Sequence, residues 1–153
     1  GSALNKFYGA DNKHGTKRRT SDVFALATAV LFQSAVQHFA LAPNNMTDAP
    51  AWAVEFMKTV PTTWDDVKFV AGYPGKYIVV ARRCGDRWLV AGINAQHEPL
   101  KLKLAVPMFA AGSALKVYAD NAALEGAVKT VKLSKKQLLD VTIPCNGGLV
   151  VCE

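Results

Sequence analysis

The sequence predicts a mainly β protein, an antiparallel β-sandwich with Greek-key connections, preceded by a short helix–strand–helix segment. Three observations carry this reading. From residue 64 onward, β-branched and aromatic runs of strand length recur at even spacing, separated by turn residues such as Pro74-Gly75 and Asn146-Gly147. Before residue 64 the apolar residues follow a helical spacing instead. Between the two lies Val60-Pro61-Thr62-Thr63-Trp64-Asp65-Asp66, where Pro61, lacking an amide hydrogen, fits the stop of a helix. The chain accordingly divides into a leading loop over 1–19, a helix–strand–helix segment over 20–63 and a sandwich over 64–153.

Residues 3–19 are polar and read as a loop. Gly1-Ser2 looks like a cloning leftover, and a start without Met suggests a piece of a longer protein. Thr20-Ser21-Asp22 is a helix start, because a hydroxyl or carboxylate there can cap free amides and Asp22 suits the positive end. The helix over 22–34 is apolar nearly all round and therefore expects protein on most sides. Residues 36–41 have strand length, and 42–45 form a loop. A second helix over 49–58 presents Trp52, Ala53, Phe56, Met57 and Val60 on one face.

Beyond residue 64, Pro74-Gly75 predicts a type II turn. Two strands, 77–82 and 88–93, flank a Gly85-containing hairpin turn. Leu100-Lys101-Leu102-Lys103-Leu104 alternates strictly, so one face is buried and the other wet. Strands over 115–118, 128–133, 138–143 and 149–152 complete the set, and no internal repeat is present.

Composition narrows the function classes. The 153 residues are half apolar and one-fifth charged, enough for an ordinary domain with a real core. No apolar run reaches the roughly 20 residues that cross a bilayer, and no signal peptide is visible. The net charge of +6 is spread out; Lys17-Arg18-Arg19, its densest cluster, is followed by Asp22 and has no interleaved aromatic residues. A solvated basic face is expected, and nucleic-acid binding would need a continuous cationic stripe. Cys84, Cys145 and Cys152 are odd in number and lack CxxC spacing, which excludes a zinc ribbon. Free thiols are the default, with a Cys145–Cys152 bridge left open.

At this point several stretches carry a likeness. Arg18-Arg19-Thr20, the helix Phe24-Ala25-Leu26-Ala27-Thr28-Ala29-Val30 and Ser34-Ala35-Val36-Gln37-His38-Phe39-Ala40 resemble the end of a glycoside hydrolase family 97 catalytic barrel. So do the segment from Phe56 to Asp66, Tyr73-Pro74-Gly75-Lys76-Tyr77, Ala81-Arg82-Arg83 and Trp88-Leu89-Val90-Ala91-Gly92-Ile93-Asn94. Pro144-Cys145-Asn146-Gly147-Gly148 resembles that family's C-terminal end. The resemblance implies the last part of a bacterial α-glucosidase or α-galactosidase, exported to the periplasm or beyond. Residues 20–63 would be the closing helix–strand–helix remnant of a (β/α)8 barrel, with 36–41 as its eighth strand, and the sandwich would brace that barrel. It also implies a calcium ion and an oligosaccharide substrate, both held by the missing parts.

Glycoside hydrolysis needs two carboxyl groups facing each other across the sugar. No position among the twelve acids matches the family's pair. Asp65-Asp66 is adjacent, but neighbours in an extended chain point to opposite faces. No catalytic residue and no metal site is therefore expected in this chain. His38 would sit at the end of the eighth barrel strand, where barrel chemistry sits, so His38, Asn44 and Asn45 are candidate sugar contacts of the whole enzyme. A packed histidine and a solvated loop are the plainer reading. Trp52, Trp64 and Trp88 could stack on sugars, but at this spacing they more often pack in cores.

The expectation is a structural C-terminal fragment of an α-glycosidase, inactive alone; the alternative is a stand-alone carbohydrate-binding module, favoured by an exposed aromatic row on one strand face. Residues from about 65 onward should fold unaided. The apolar helix over 22–34, stripped of its barrel, should drive self-association through residues 20–60 unless it folds back on the sandwich.

Overall fold

The computed structural model describes residues 19–39 and 49–153. In chain order the elements are α1 (Asp22–Leu31), α2 (Ala51–Thr59), β1 (Asp66–Tyr73), β2 (Tyr77–Cys84), β3 (Arg87–Asn94), β4 (Leu100–Ala105), β5 (Ala114–Asp120), β6 (Gly126–Lys132), β7 (Leu138–Ile143) and β8 (Gly148–Cys152).

Local chemistry sets the hairpins. Tyr73-Pro74-Gly75-Lys76 closes β1 on β2 with a Lys76 N–H to Tyr73 carbonyl bond of 3.0 Å and Gly75 at φ +73°, the conformation that a type II turn demands at that position. Gly85, at φ +59°, opens the two-residue loop between β2 and β3. The strands assemble into a six-stranded sheet ordered β1-β2-β3-β8-β5-β6 and a two-stranded sheet β4-β7, with antiparallel pairing throughout. The chain crosses between the sheets before β4, β5, β7 and β8. The last of these crossings brings β8 back between β3 and β5, the kind of long return that distinguishes Greek-key sandwiches from simple meanders.

Strand alternation distributes side chains to two cores. Val79, Ala81, Val90, Val117, Leu149 and Val151 point between the two sheets and meet Leu104, Phe109, Leu139 and Ile143. On the other face, Leu89, Ala91, Val150, Cys152 and Tyr118 meet Val23, Leu26, Ala27 and Val30 of α1 and Ala53 and Phe56 of α2. The six-stranded sheet is thus the middle of three layers. β8 is buried on both faces along its whole length, which explains why it reads as an uninterrupted apolar run rather than an alternation.

The structure departs from the sequence reading in four places. First, α1 ends at Leu31, three residues short of the expected stop, and α2 runs two residues late at its start and one at its end. Second, residues 36–39 are irregular, not the expected strand. A strand exists only when a neighbour takes its amides and carbonyls, and among the described residues none lies alongside. Instead the Ser34 hydroxyl bonds the Val36 carbonyl, and the Gln37 amide reaches back to the Ala29 carbonyl. Third, β1 is a full eight-residue strand, hidden from the alternation test by a bulge between Phe69 and Ala71. Fourth, α1 is covered by its own chain. Val23, Leu26 and Val30 are buried and Phe24 and Leu31 half-buried, leaving Phe32 exposed at 64%.

Candidate functional site

The most elaborate polar construction in the molecule is the seat of α1 on the sheet. Ser21 caps the helix, its hydroxyl oxygen accepting from the Phe24 amide at 2.9 Å. The same hydroxyl donates to the Asp120 carboxylate at the end of β5, and the Gly148 amide donates to the same oxygen at 2.8 Å. Gly148 has to be glycine, because a Cβ there would lie 2.4 Å from the Phe24 nitrogen. Burial pushes the Asp120 carboxyl pKa up, and nearby Asp22 adds to the rise; the Ser21, Gly148 and Val23 hydrogen bonds pull the other way.

The opposite end of α1 is held by a cation. Arg82, only 3% exposed, donates to the Phe32 carbonyl at 3.0 Å and the Leu31 carbonyl at 3.2 Å, and its guanidinium lies 5.7 Å from the Trp64 ring centroid. Burial lowers its pKa. An acid at the positive helix end and an arginine at the negative end match the helix dipole at both termini, and both come from the sheet. Asn94, fully buried, ties the end of β3 to the turn before β8. Its amide donates to the Ile143 and Glu98 carbonyls, and its oxygen accepts from the Gln96 amide. The segment between α2 and β1 is strapped down as well. Asp65 accepts from the Gly85 amide at 2.7 Å, and Arg87 donates to the Thr59 carbonyl at 2.9 Å.

This geometry settles the roles of several residues. Asp65 and Asp66 serve the backbone, Asp66 accepting from the Val67 amide. The carboxyls of Asp22 and Asp120 are near one another but buried beneath the helix start. Among the described residues no three His, Cys, Asp or Glu side chains converge. His38 is exposed on the irregular segment, and Asn44 and Asn45 lie outside the described residues. Trp52 packs on Tyr118 with ring centroids 6.1 Å apart, Trp64 lies beside Arg82, and Trp88 is half-buried with the Lys68 ammonium 4.8 Å from its ring centroid. All three cysteines are free thiols.

Surface concavities also open among the described residues. One, of about 990 Å³, opens between β4-β7 and β5-β6 over Val117 and Leu139, with Lys101, Lys103 and Lys129 along it and no aromatic side chain lining it. Another, of about 410 Å³, lies on the β1–β2 hairpin and is lined by Phe69, Gly72, Tyr73, Pro74 and Ile78.

Residues 63–152 match the model of the glycosyl-hydrolase 97 C-terminal domain, whose description adds oligomerisation. The chain belongs to glycoside hydrolase family 97. A retaining alpha-galactosidase of Bacteroides thetaiotaomicron is 39% identical over 69 residues, which is 45% of this chain and 10% of that protein. A solved beta-arabinopyranosidase is 50% identical with a TM-score of 0.88, over 95% of this chain and 23% of that one. A family 97 enzyme from Pseudoalteromonas sp. strain K8, solved with acarbose, superposes at a TM-score of 0.78 over 95% of this chain and 24% of its own, and at 21% identity it shows the fold alone. This chain therefore spans between a tenth and a quarter of the length of these relatives.

The stretches that carried the family likeness turn out to hold the joint: Arg82, Asn94 and Gly148 all lie in them. Their role was missed because it is long-range, although a charged residue inside the apolar run of β2 and the paired glycines at the start of β8 were visible hints.

Proposed function

We propose that this chain is the C-terminal part of a retaining glycosidase and that its sandwich braces the catalytic barrel through α1 and α2. The observation that carries this is the seating of α1, pinned at both ends by Asp120 and Arg82. A barrel continuous with that helix is held rigidly against the sheet. We assign the paired carboxyls to the rest of the protein: Asp22 and Asp120 are buried under the helix start, and no acid of this chain matches the family's pair. The calcium ion that the family resemblance implies does not fit the described residues, where no ligand cluster forms, and we assign it to the same missing part. Export to the periplasm or beyond rests on the resemblance alone.

For substrate, the 50% identical beta-arabinopyranosidase and the retaining alpha-galactosidase point the same way. A β-L-arabinopyranoside has the ring stereochemistry of an α-D-galactopyranoside without its exocyclic carbon, so one pocket shape serves both. We place the whole protein's substrate in this class, ahead of α-glucosides. Nitrophenyl α-galactoside and nitrophenyl β-L-arabinopyranoside, offered to the whole protein and to the 153-residue chain, test the reading. The whole protein should turn over at least one of them, in a chelator-sensitive manner, and the chain alone neither. Turnover by the chain alone would overturn it.

We also propose that the chain self-associates, as the description of its family domain supports. The expected contact through residues 20–60 rested on an uncovered helix. With α1 buried, Phe32 and Val36 are the large apolar side chains of that segment left exposed among the described residues.

A further inference from the structure

The middle sheet is unevenly covered. On its outer face α1 lies over β3, β8 and part of β5, and among the described residues no helix covers the β1–β2 side of that face. Val67, Phe69 and Ile78 emerge there, exposed at 47%, 70% and 39%, and Tyr73 at the hairpin tip is exposed at 62%. Val67 is paired opposite Arg82, Phe69 opposite Val80, and Gly72 opposite Ile78, so these positions share one face despite the bulge. Phe69, Tyr73 and Ile78 border the apolar groove of about 410 Å³, beside which the Phe69 ring stands.

We propose that this β1–β2 face is where a second copy of the chain docks, an inference that rests on the self-association reading above. The family domain described by oligomerisation spans residues 63–152. Within that span the large apolar side chains left exposed are Val67, Phe69, Tyr73, Ile78 and Val128, and four of these five lie on β1 and β2. The opposite sheet edge, β6, carries Lys129 and Lys132, which discourage a partner there. An aromatic ring beside a groove on the same face is self-complementary, since a two-fold axis sets each copy's ring against the other's groove. Beside Tyr73, Tyr77 and Lys76, the groove is lined by Phe69, Pro74, Ile78 and Ile93, whose apolar surface suits the centre of a protein interface.

Sedimentation velocity on the 153-residue chain tests this with two double variants, Phe69→Lys with Tyr73→Lys and Phe32→Lys with Val36→Lys. Circular dichroism melts show that each remains folded. The expected result is a wild-type dimer whose dissociation constant rises by roughly 30-fold or more in the first variant and is little changed in the second. A dimer untouched by the first variant, or dissociated by the second alone, overturns the surface while leaving self-association intact. A wild-type monomer at high concentration overturns both. A monomer whose Tyr73-dependent fluorescence responds to galactose-containing oligosaccharides makes the face a sugar subsite instead.

Discussion

Asp120 is the buried acid on which the start of α1 rests, and its carboxyl pKa lies above the ordinary aspartate value because burial outweighs the hydrogen bonds it accepts. The sign of its pH effect follows. A folded-state pKa above the unfolded one means that the protonated acid is favoured in the fold. Its contribution is therefore fully present below the unfolded value and is lost as pH rises through the folded one. Asp120→Asn should flatten this acid-range slope relative to wild type and leave stability at pH 7 unchanged or higher. Asp120→Ala, which strands the Ser21 hydroxyl and the Gly148 amide, should cost about 1–3 kcal/mol. Thermal melts of the three proteins between pH 3 and 7 check both outcomes, and a wild-type slope retained by the Asn variant would contradict the assignment. Ser21 was legible in the sequence because a cap is a local device: Thr20-Ser21-Asp22 announces it. Asp120 was not, because its partner lies 99 residues away. His38, a candidate sugar contact of the whole enzyme, lies exposed on the irregular segment after α1.

The same contrast between local and distant causes appears in the elements. The turns at Pro74-Gly75 and Asn146-Gly147 were readable because proline and glycine fix backbone angles within a few residues. The end of α1 was not: Arg82, some 50 residues on, takes the Leu31 and Phe32 carbonyls and fixes the stop there. The strand expected over 36–41 is irregular in its described part, residues 36–39, for a related reason, since apolar residues specify burial but not which neighbour supplies it. The helix seat also sets a tolerance. Gly148 packs its α-carbon directly against the backbone of Val23 and Phe24, so Gly148→Ala must lift α1 from β8. A loss of about 1–3 kcal/mol is expected, with faster proteolysis within residues 19–39. Urea unfolding and limited trypsin digestion measure the two effects, and wild-type behaviour in both would show that the helix can shift without cost.

Across the whole molecule, the sheet with helices on one face and a two-stranded sheet on the other is a three-layer body. The eight-strand antiparallel character was legible from 64 onward, but the third layer was not, because nothing local says that helices before the sandwich cover its back. This changes the expectation that residues from 65 onward fold unaided. Removing 1–63 would expose Leu89, Val150 and Tyr118, all at most 9% accessible now. At roughly 1.5–3 kcal/mol for each large apolar side chain, the loss approaches a domain's net stability. Residues 64–153 alone should melt without a cooperative transition or far below the whole chain, and a sharp calorimetric peak near the original temperature would refute this. A different consequence follows from the placement of β8. During synthesis, β1 to β3 and β5 to β6 leave the ribosome as two half-sheets with no common edge. Both must wait, apolar flanks open, until residues 148–152 emerge to join them. Such late, long-range closure makes folding slow. It also gives molecular chaperones their longest opportunity just before the final strand arrives, when every other part of the sheet is made and nothing yet holds its middle.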